Sequence, residues 1–389
     1  MLVEHFHNTH KSAGSYPERL QSILRLKDAE IAFNEISTWP SYEQTPLVSL
    51  NKIAAEIGIK EIYYKDESSR FGLGSFKALG GTYGVLRFIK DALEEEFGKT
   101  VAIEDIRSGK YSNNISKYTV TTATDGNHGR SVAFGAKLFG CKCQIYIHSE
   151  VSQGRHDAIE NLDARVVRVD GNYDKSVEIC KKESKLNNWQ VISDTSYSGY
   201  TKYPRYIMAG YNVMAEEITN QMGEKSMPTH IFLQGGVGSF PGAICGYFWE
   251  KFNNQNLKIV VVESEHAPCL IKSAQKNKIT SVPVETETIM AGLSCGEPSL
   301  LGWEILSSGA DDFITISDDS IPSVMRFLSK NSPYIEAGES SVAGLVGLIE
   351  IMKNQKVAKN IGLGSDSIVL LFGTEGATDP EIYNSIINT

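Results

Sequence analysis

Residues 118–148 read YTVTTATDGNHGRSVAFGAKLFGCKCQIYIH. The run 118–122 predicts a strand. A polar, glycine-bearing turn follows, then a helix over 127–138 and a second strand over 143–147. The pattern continues with strands at 165–169 and 190–193 and helices at 153–161 and 173–187. A second series has strands near 230–234, 258–262, 312–316 and 368–372. Helices at 205–221, 237–252, 322–330 and 341–353 separate them. Strands alternating with helices of this length imply βαβ units. The fold class expected is therefore α/β, with two open, mostly parallel sheets wrapped by helices. Upstream, a helix is expected from Pro17 to about Ile36, a strand over 61–64 and a long helix over 76–95. Residues 97–116 read as a polar surface insertion. Residues 1–14, with His5, His7 and His10, read as a mobile tail. There is no internal repeat and no low-complexity segment.

Composition narrows the class of molecule. Apolar residues make up 41% and charged residues 22% of 389, which excludes a wholly disordered or collagen-like chain. No run approaches eighteen uninterrupted apolar residues, so no membrane-spanning helix is expected. The N-terminus lacks a basic segment followed by an apolar core, so no secretory signal is expected. The net charge is -9, with 38 basic and 47 acidic residues interspersed. A nucleic-acid partner would call for a basic stripe, and none is visible. Six cysteines in a chain this long are not a disulfide scaffold. A cytoplasmic location is expected.

In open parallel sheets, ligands bind where strand ends meet helix N-termini. Four motifs lie at such ends. Lys65–Gly81 runs from a strand through a glycine-broken loop into a helix that starts at Lys77. The helix dipole opposes a positive charge there, which favours a nucleophilic amine; an exposed helix lysine is the plainer alternative. Thr121–Arg130 carries Asp125, Asn127 and His128. Asn127 both donates and accepts. Asp125 is also suited to cap the helix, and His128 reads as structural rather than catalytic. Gln234–Gly242 holds Gly235, Gly236, Val237 and Gly238, whose successive N–H groups make an anion nest suited to phosphate. The spacing departs from the dinucleotide fingerprint at Pro241 and lacks the lysine of a Walker A loop. Phe372–Gly376 carries Thr374, a hydroxyl suited to a ligand or to nearby backbone.

A nucleophilic lysine, a hydrogen-bonding asparagine, a phosphate nest and a late hydroxyl match the needs of pyridoxal phosphate. The order Ser75-Phe76-Lys77, Gly126-Asn127-His128-Gly129, Gly235–Gly238 and Thr374 resembles the fold-type II pyridoxal phosphate enzymes, the tryptophan synthase β group. The resemblance runs from about Thr45 to Gly376. Within that group the chain is similar to the diaminopropionate ammonia-lyase family. The stretches that carry this are Arg70–Leu73, Thr122–Arg130, Asp194-Thr195 before Gly199–Lys202, and Met290–Pro298. Gly302–Leu306, Gly338–Ser340 and Thr374–Gly376 add to them.

This resemblance implies α,β-elimination of D- and L-2,3-diaminopropionate to pyruvate and two ammonia molecules. Lys77 would hold pyridoxal 5'-phosphate as a Schiff base, and Asn127 would bond the ring's phenolic oxygen. Gly235, Gly236, Val237 and Gly238 would offer N–H groups to the phosphate, and Thr374 would meet the pyridine nitrogen. Asp125 and Asp194 would be acid-base residues, Asp125 for the D-form and Asp194 for the L-form, with Lys77 the alternative base. No metal is implied. A serine or threonine dehydratase of the same fold is the alternative, and Asp125 speaks against it, since those enzymes usually carry a small residue there. Cys269 and Cys295 read as buried thiols, with a pairing near the site left open. The expected domains are a large cofactor-binding one, 1–81 with 196–389, and a small mobile one, 82–195, with the cofactor in the cleft. The resemblance further implies a homodimer and a small amino acid as substrate; no nucleic-acid or membrane partner is expected.

Overall fold

The structure, a computed structural model, describes residues 1–124, 126–223, 227–253 and 257–389. The chain divides into two compact units. The larger comprises residues 1–76, 195–198 and 211–389; the smaller comprises 77–194 and 199–210.

In the larger unit seven strands form one sheet. Its order is Leu2–His7, Asp312–Ile316, Lys258–Ser264, His230–Gln234, Ile368–Gly373, Glu61–Asp66 and Leu47–Ser49. The five inner strands are parallel and the two edge strands antiparallel. His230–Gln234 and Asp312–Ile316 are buried at every position, as expected of parallel strands covered on both faces. Ile62, Phe232, Val262, Ile314 and Leu371 pack with Leu345 and Leu348 of the helix Ala343–Lys353. The helix Ser239–Phe252 lies against Leu300–Gly309 through two glycines. A Cβ on Gly242 would stand 2.9 Å from Gly302 Cα, so only glycine permits the approach.

In the smaller unit four parallel strands run in the order Arg165–Val169, Lys142–His148, Thr119–Ala123 and Gln190–Val191. The helix Lys77–Phe97 packs on Asn127–Phe139. A Cβ on Gly81 would sit 1.8 Å from Ser131 Oγ, and one on Gly210 would sit 2.6 Å from the Leu79 carbonyl oxygen. These close approaches tie 77–81 and 199–210 to the smaller unit, whereas the sequence pattern put both segments in the larger domain.

Three other expectations change. Residues 2–7 are not a loose tail but a strand. His5 Nε2 and His7 Nδ1 both bond Asp312 Oδ1, at 2.8 and 3.0 Å. The polar stretch 97–116 contains two short helices, Ile103–Arg107 and Ser112–Ile115, anchored by buried Val101, Ile106 and Ile115. The helices expected over 17–36 and 205–221 are each two, broken near Ser22–Arg25 and at Asn212.

Candidate active site

In the smaller unit the strand Thr119–Ala123 ends at Thr124, whose hydroxyl accepts the N–H groups of Gly126 and Gly129, each at 3.0 Å. These bonds brace the turn before the helix Asn127–Phe139, whose N-cap is Gly126. Gly129 is required, since a Cβ there would lie 2.4 Å from Thr124 Cγ2. Asp125 lies outside the described residues.

Lys77 is the first residue of its helix, and its Nζ donates to Asp194 Oδ2. The same oxygen is 3.8 Å from His128 Nδ1. The other ring nitrogen of His128 lies 2.8 Å from the Ile192 carbonyl oxygen. A carbonyl only accepts, so Nε2 carries the proton and Nδ1 of the neutral ring is bare. His128 Nδ1 is buried with no hydrogen-bond partner among the described residues. Burial, more than the opposing pull of Asp194, lowers the His128 pKa, so the ring is neutral near pH 7. Burial also resists the charge on Asp194, but His128, in its protonated form, and the Lys77 ammonium outweigh it. They hold that carboxyl well below the usual carboxylate range. Lys77 and Asp194 are 25% and 15% exposed, enough for a ligand to reach both side chains.

In the larger unit the strand His230–Gln234 runs into Gly235–Gly238 and then into the helix Ser239–Phe252. Gly235 N–H is taken by the Val262 carbonyl at 2.8 Å. That removes Gly235 from the expected phosphate donors and leaves Gly236, Val237 and Gly238. Gly238 adopts φ +96°, and no side chain caps the helix that follows. A helix start without a side-chain cap favours an anion. The loop is closely walled: a Cβ on Gly235 would meet Leu270 at 2.7 Å and one on Gly236 the Gly292 carbonyl oxygen at 3.0 Å. Cys269 Sγ lies 3.6 Å from the Gly236 carbonyl oxygen, and Cys295 flanks the same glycine; both are thiols.

Thr374 follows the strand Ile368–Gly373 and is buried. Its hydroxyl oxygen accepts from Gln234 Nε2 at 3.0 Å. The Phe76 N–H donates to the Thr374 carbonyl at 3.0 Å, and Ser75 pairs with Glu375. The loop that ends one residue before Lys77 is thereby fixed to the segment carrying Thr374. Its other end is held by a buried charge cluster. Arg70 bonds Glu67 at 2.7 Å and Glu217 at 2.8 Å, and Lys65 Nζ lies 2.6 Å from Glu217. The sequence offered the arginine as part of a matching stretch but not its partner Glu217, 147 residues away. Thr124 and Gln234 were likewise missed as functional partners. A hydroxyl two residues before a glycine-led helix was the available signal for Thr124.

The donor set fits pyridoxal phosphate. An amine opens one helix, an uncapped glycine nest opens another, and a buried hydroxyl stands at a strand end.

The family described as pyridoxal-phosphate dependent enzyme matches residues 38–373. Diaminopropionate ammonia-lyase of Escherichia coli strain K12 is 39% identical over 353 residues, covering 89% of this chain and 87% of its own. A crystal structure of the Escherichia coli enzyme in complex with an aminoacrylate-PLP azomethine reaction intermediate is similar, with a TM-score of 0.88 and 36% identity. That match covers 100% of this chain and 97% of the other. A probable D-serine dehydratase of Fusobacterium nucleatum is more distant, at 25% identity over 77% of this chain and 69% of its own.

Proposed function

The chain belongs to the pyridoxal-phosphate dependent enzyme family, among its diaminopropionate ammonia-lyases, and on that premise we propose how its residues serve the reaction. The enzyme is a carbon–nitrogen lyase that eliminates across the α and β carbons of 2,3-diaminopropionate, giving pyruvate and two ammonia molecules. Its cofactor is pyridoxal 5'-phosphate, which when bound supplies the electron sink that makes the substrate's α-hydrogen acidic.

The chain's own residues supply attachment, position and proton handling. Lys77 is the covalent anchor. Asn127 would bond the ring's phenolic oxygen, Gly236, Val237 and Gly238 would hold the phosphate, and Thr374 would meet the ring nitrogen. Asp194 takes the α-proton of the L-enantiomer and Asp125 that of the D-enantiomer. The β-nitrogen departs as ammonia only after gaining a proton, since an amide anion is a very poor leaving group. The Lys77–Asp194 pair holds such a proton at Nζ. Diaminopropionate brings one more ammonium than serine does, and an ionised carboxylate at the site favours it.

The observation that carries this reading is the contact of Lys77 with a carboxylate kept ionised in a part-buried setting. The test is stoichiometric. Two ammonia molecules per pyruvate are expected from diaminopropionate; one ammonia per pyruvate, with serine as the preferred substrate, would place the protein among the dehydratases. A homodimer and a cytoplasmic location belong to the same proposal; the first rests on the family resemblance and the second on the composition. No helix among the described residues is long and apolar enough to cross a membrane.

A further inference from the structure

We infer that Gln234 is a positioning residue that fixes the direction of the Thr374 hydroxyl proton and so keeps the cofactor's ring nitrogen unprotonated. The inference rests on the reading that Thr374 meets that nitrogen.

Gln234 is 2% exposed. Its Nε2 lies 2.8 Å from the Phe372 carbonyl oxygen, 3.2 Å from the Ser340 carbonyl oxygen and 3.0 Å from Thr374 Oγ1. Backbone carbonyls only accept. Turning the amide over would set its oxygen against the two backbone carbonyl oxygens, so its orientation is determined. The two amide protons go to the two nearest acceptors, the Phe372 carbonyl oxygen and Thr374 Oγ1, so Thr374 Oγ1 accepts from Gln234. A hydroxyl has a single proton, and Gln234 leaves that proton directed elsewhere. Among the described residues Ser340 Oγ also approaches Thr374 Oγ1, at 3.5 Å, the outer limit of a hydrogen bond. Ser340 gives its own proton to Glu375 Oε1, and at 3.5 Å its oxygen is a weak acceptor for the Thr374 proton. The Thr374 proton is thus available to a ligand, and a ring nitrogen that receives it must offer a lone pair. An unprotonated pyridine is a weaker electron sink, which suits elimination over transamination.

The experiment loads the protein with pyridoxal phosphate labelled with 15N in the ring and reads the nitrogen shift by NMR. In the unaltered protein the shift is expected in the unprotonated pyridine range; a pyridinium shift overturns the inference without any variant. In Gln234→Glu a carboxyl has one proton where the amide had two. A backbone carbonyl takes it, the oxygen left facing Thr374 can only accept, and the hydroxyl turns inward. The ring signal is expected to move, and cofactor affinity to fall about tenfold. Gln234→Met, which removes the donor without adding a buried acid, is expected to shift the signal in the same direction by less. Thr374→Val separates the two readings. If it moves the signal and both Gln234 variants do not, the role of Gln234 is overturned and that of Thr374 stands. If it leaves the signal unmoved, the Thr374 reading fails and the inference fails with it.

Discussion

At Lys77 two electrostatic effects oppose each other. The start of a helix disfavours an ammonium, while Asp194 favours one. The balance leaves a cation and an anion in contact, ready to exchange a proton once the lysine is engaged by a ligand. Asp194→Asn is expected to reduce turnover of L-diaminopropionate by about 10²–10⁴-fold and of the D-form far less. Asp125→Asn is expected to show the reverse preference. Initial rates on the separate enantiomers check both, and equal losses would refute the assignment. His128 carries a pH consequence. Its folded pKa lies below the unfolded value, so the unfolded chain binds the proton first, and stability falls as pH drops through about 6.5. His128→Gln should flatten that part of a plot of denaturation midpoint against pH. Lys77, Asn127 and Thr374 were legible because glycine marks each strand-to-helix turn. Asp194 was not: it follows the short strand Gln190–Val191 with no motif of its own, and only the family resemblance singled it out. Gln234 escaped because its partners, Ser340, Phe372 and Thr374, are brought to it by strand order rather than spacing, whereas the partners of Thr124 are local.

At the scale of elements, glycines set which helices can touch. Gly210→Ala would drive a Cβ to 2.6 Å from a backbone oxygen, and backbone yields less readily than the end of a side chain. A loss of about 1–3 kcal/mol is expected in chemical denaturation, against little change at exposed Gly154, where a Cβ meets nothing within 4 Å. Glu263 shows another device. Its two carboxyl oxygens accept the N–H groups of Leu270 and Ile271 at 2.7 Å each and so cap the helix Cys269–Lys276 from a neighbouring strand. Burial outweighs these bonds and pushes its pKa up to about 8. The apolar strands of both sheets and the helices between them were readable from periodicity. The edge strand Leu2–His7 was not, because its pairing partner lies some 300 residues away and its own pattern is polar. The domain boundary near Lys77 was misplaced for a related reason. A helix's own periodicity does not say which neighbour its glycines face.

Across the whole chain, the proposed anion nest and ring-nitrogen partner belong to the larger unit, and Lys77 and Asp194 to the smaller. The larger unit also buries two cations and two anions around Glu217. Removing one partner of such a cluster leaves an uncompensated charge, so Glu217→Ala should cost about 3–5 kcal/mol and lower the denaturation midpoint. The proposed homodimer predicts a light-scattering mass twice the 42.8 kDa of one chain. The central claim is the choice of substrate, and initial pyruvate release by the cofactor-loaded protein tests it most directly. With DL-2,3-diaminopropionate and L-serine compared at equal concentration, a strong preference for diaminopropionate is predicted. A preference for serine would contradict the account, leaving the fold and cofactor but making the protein a dehydratase.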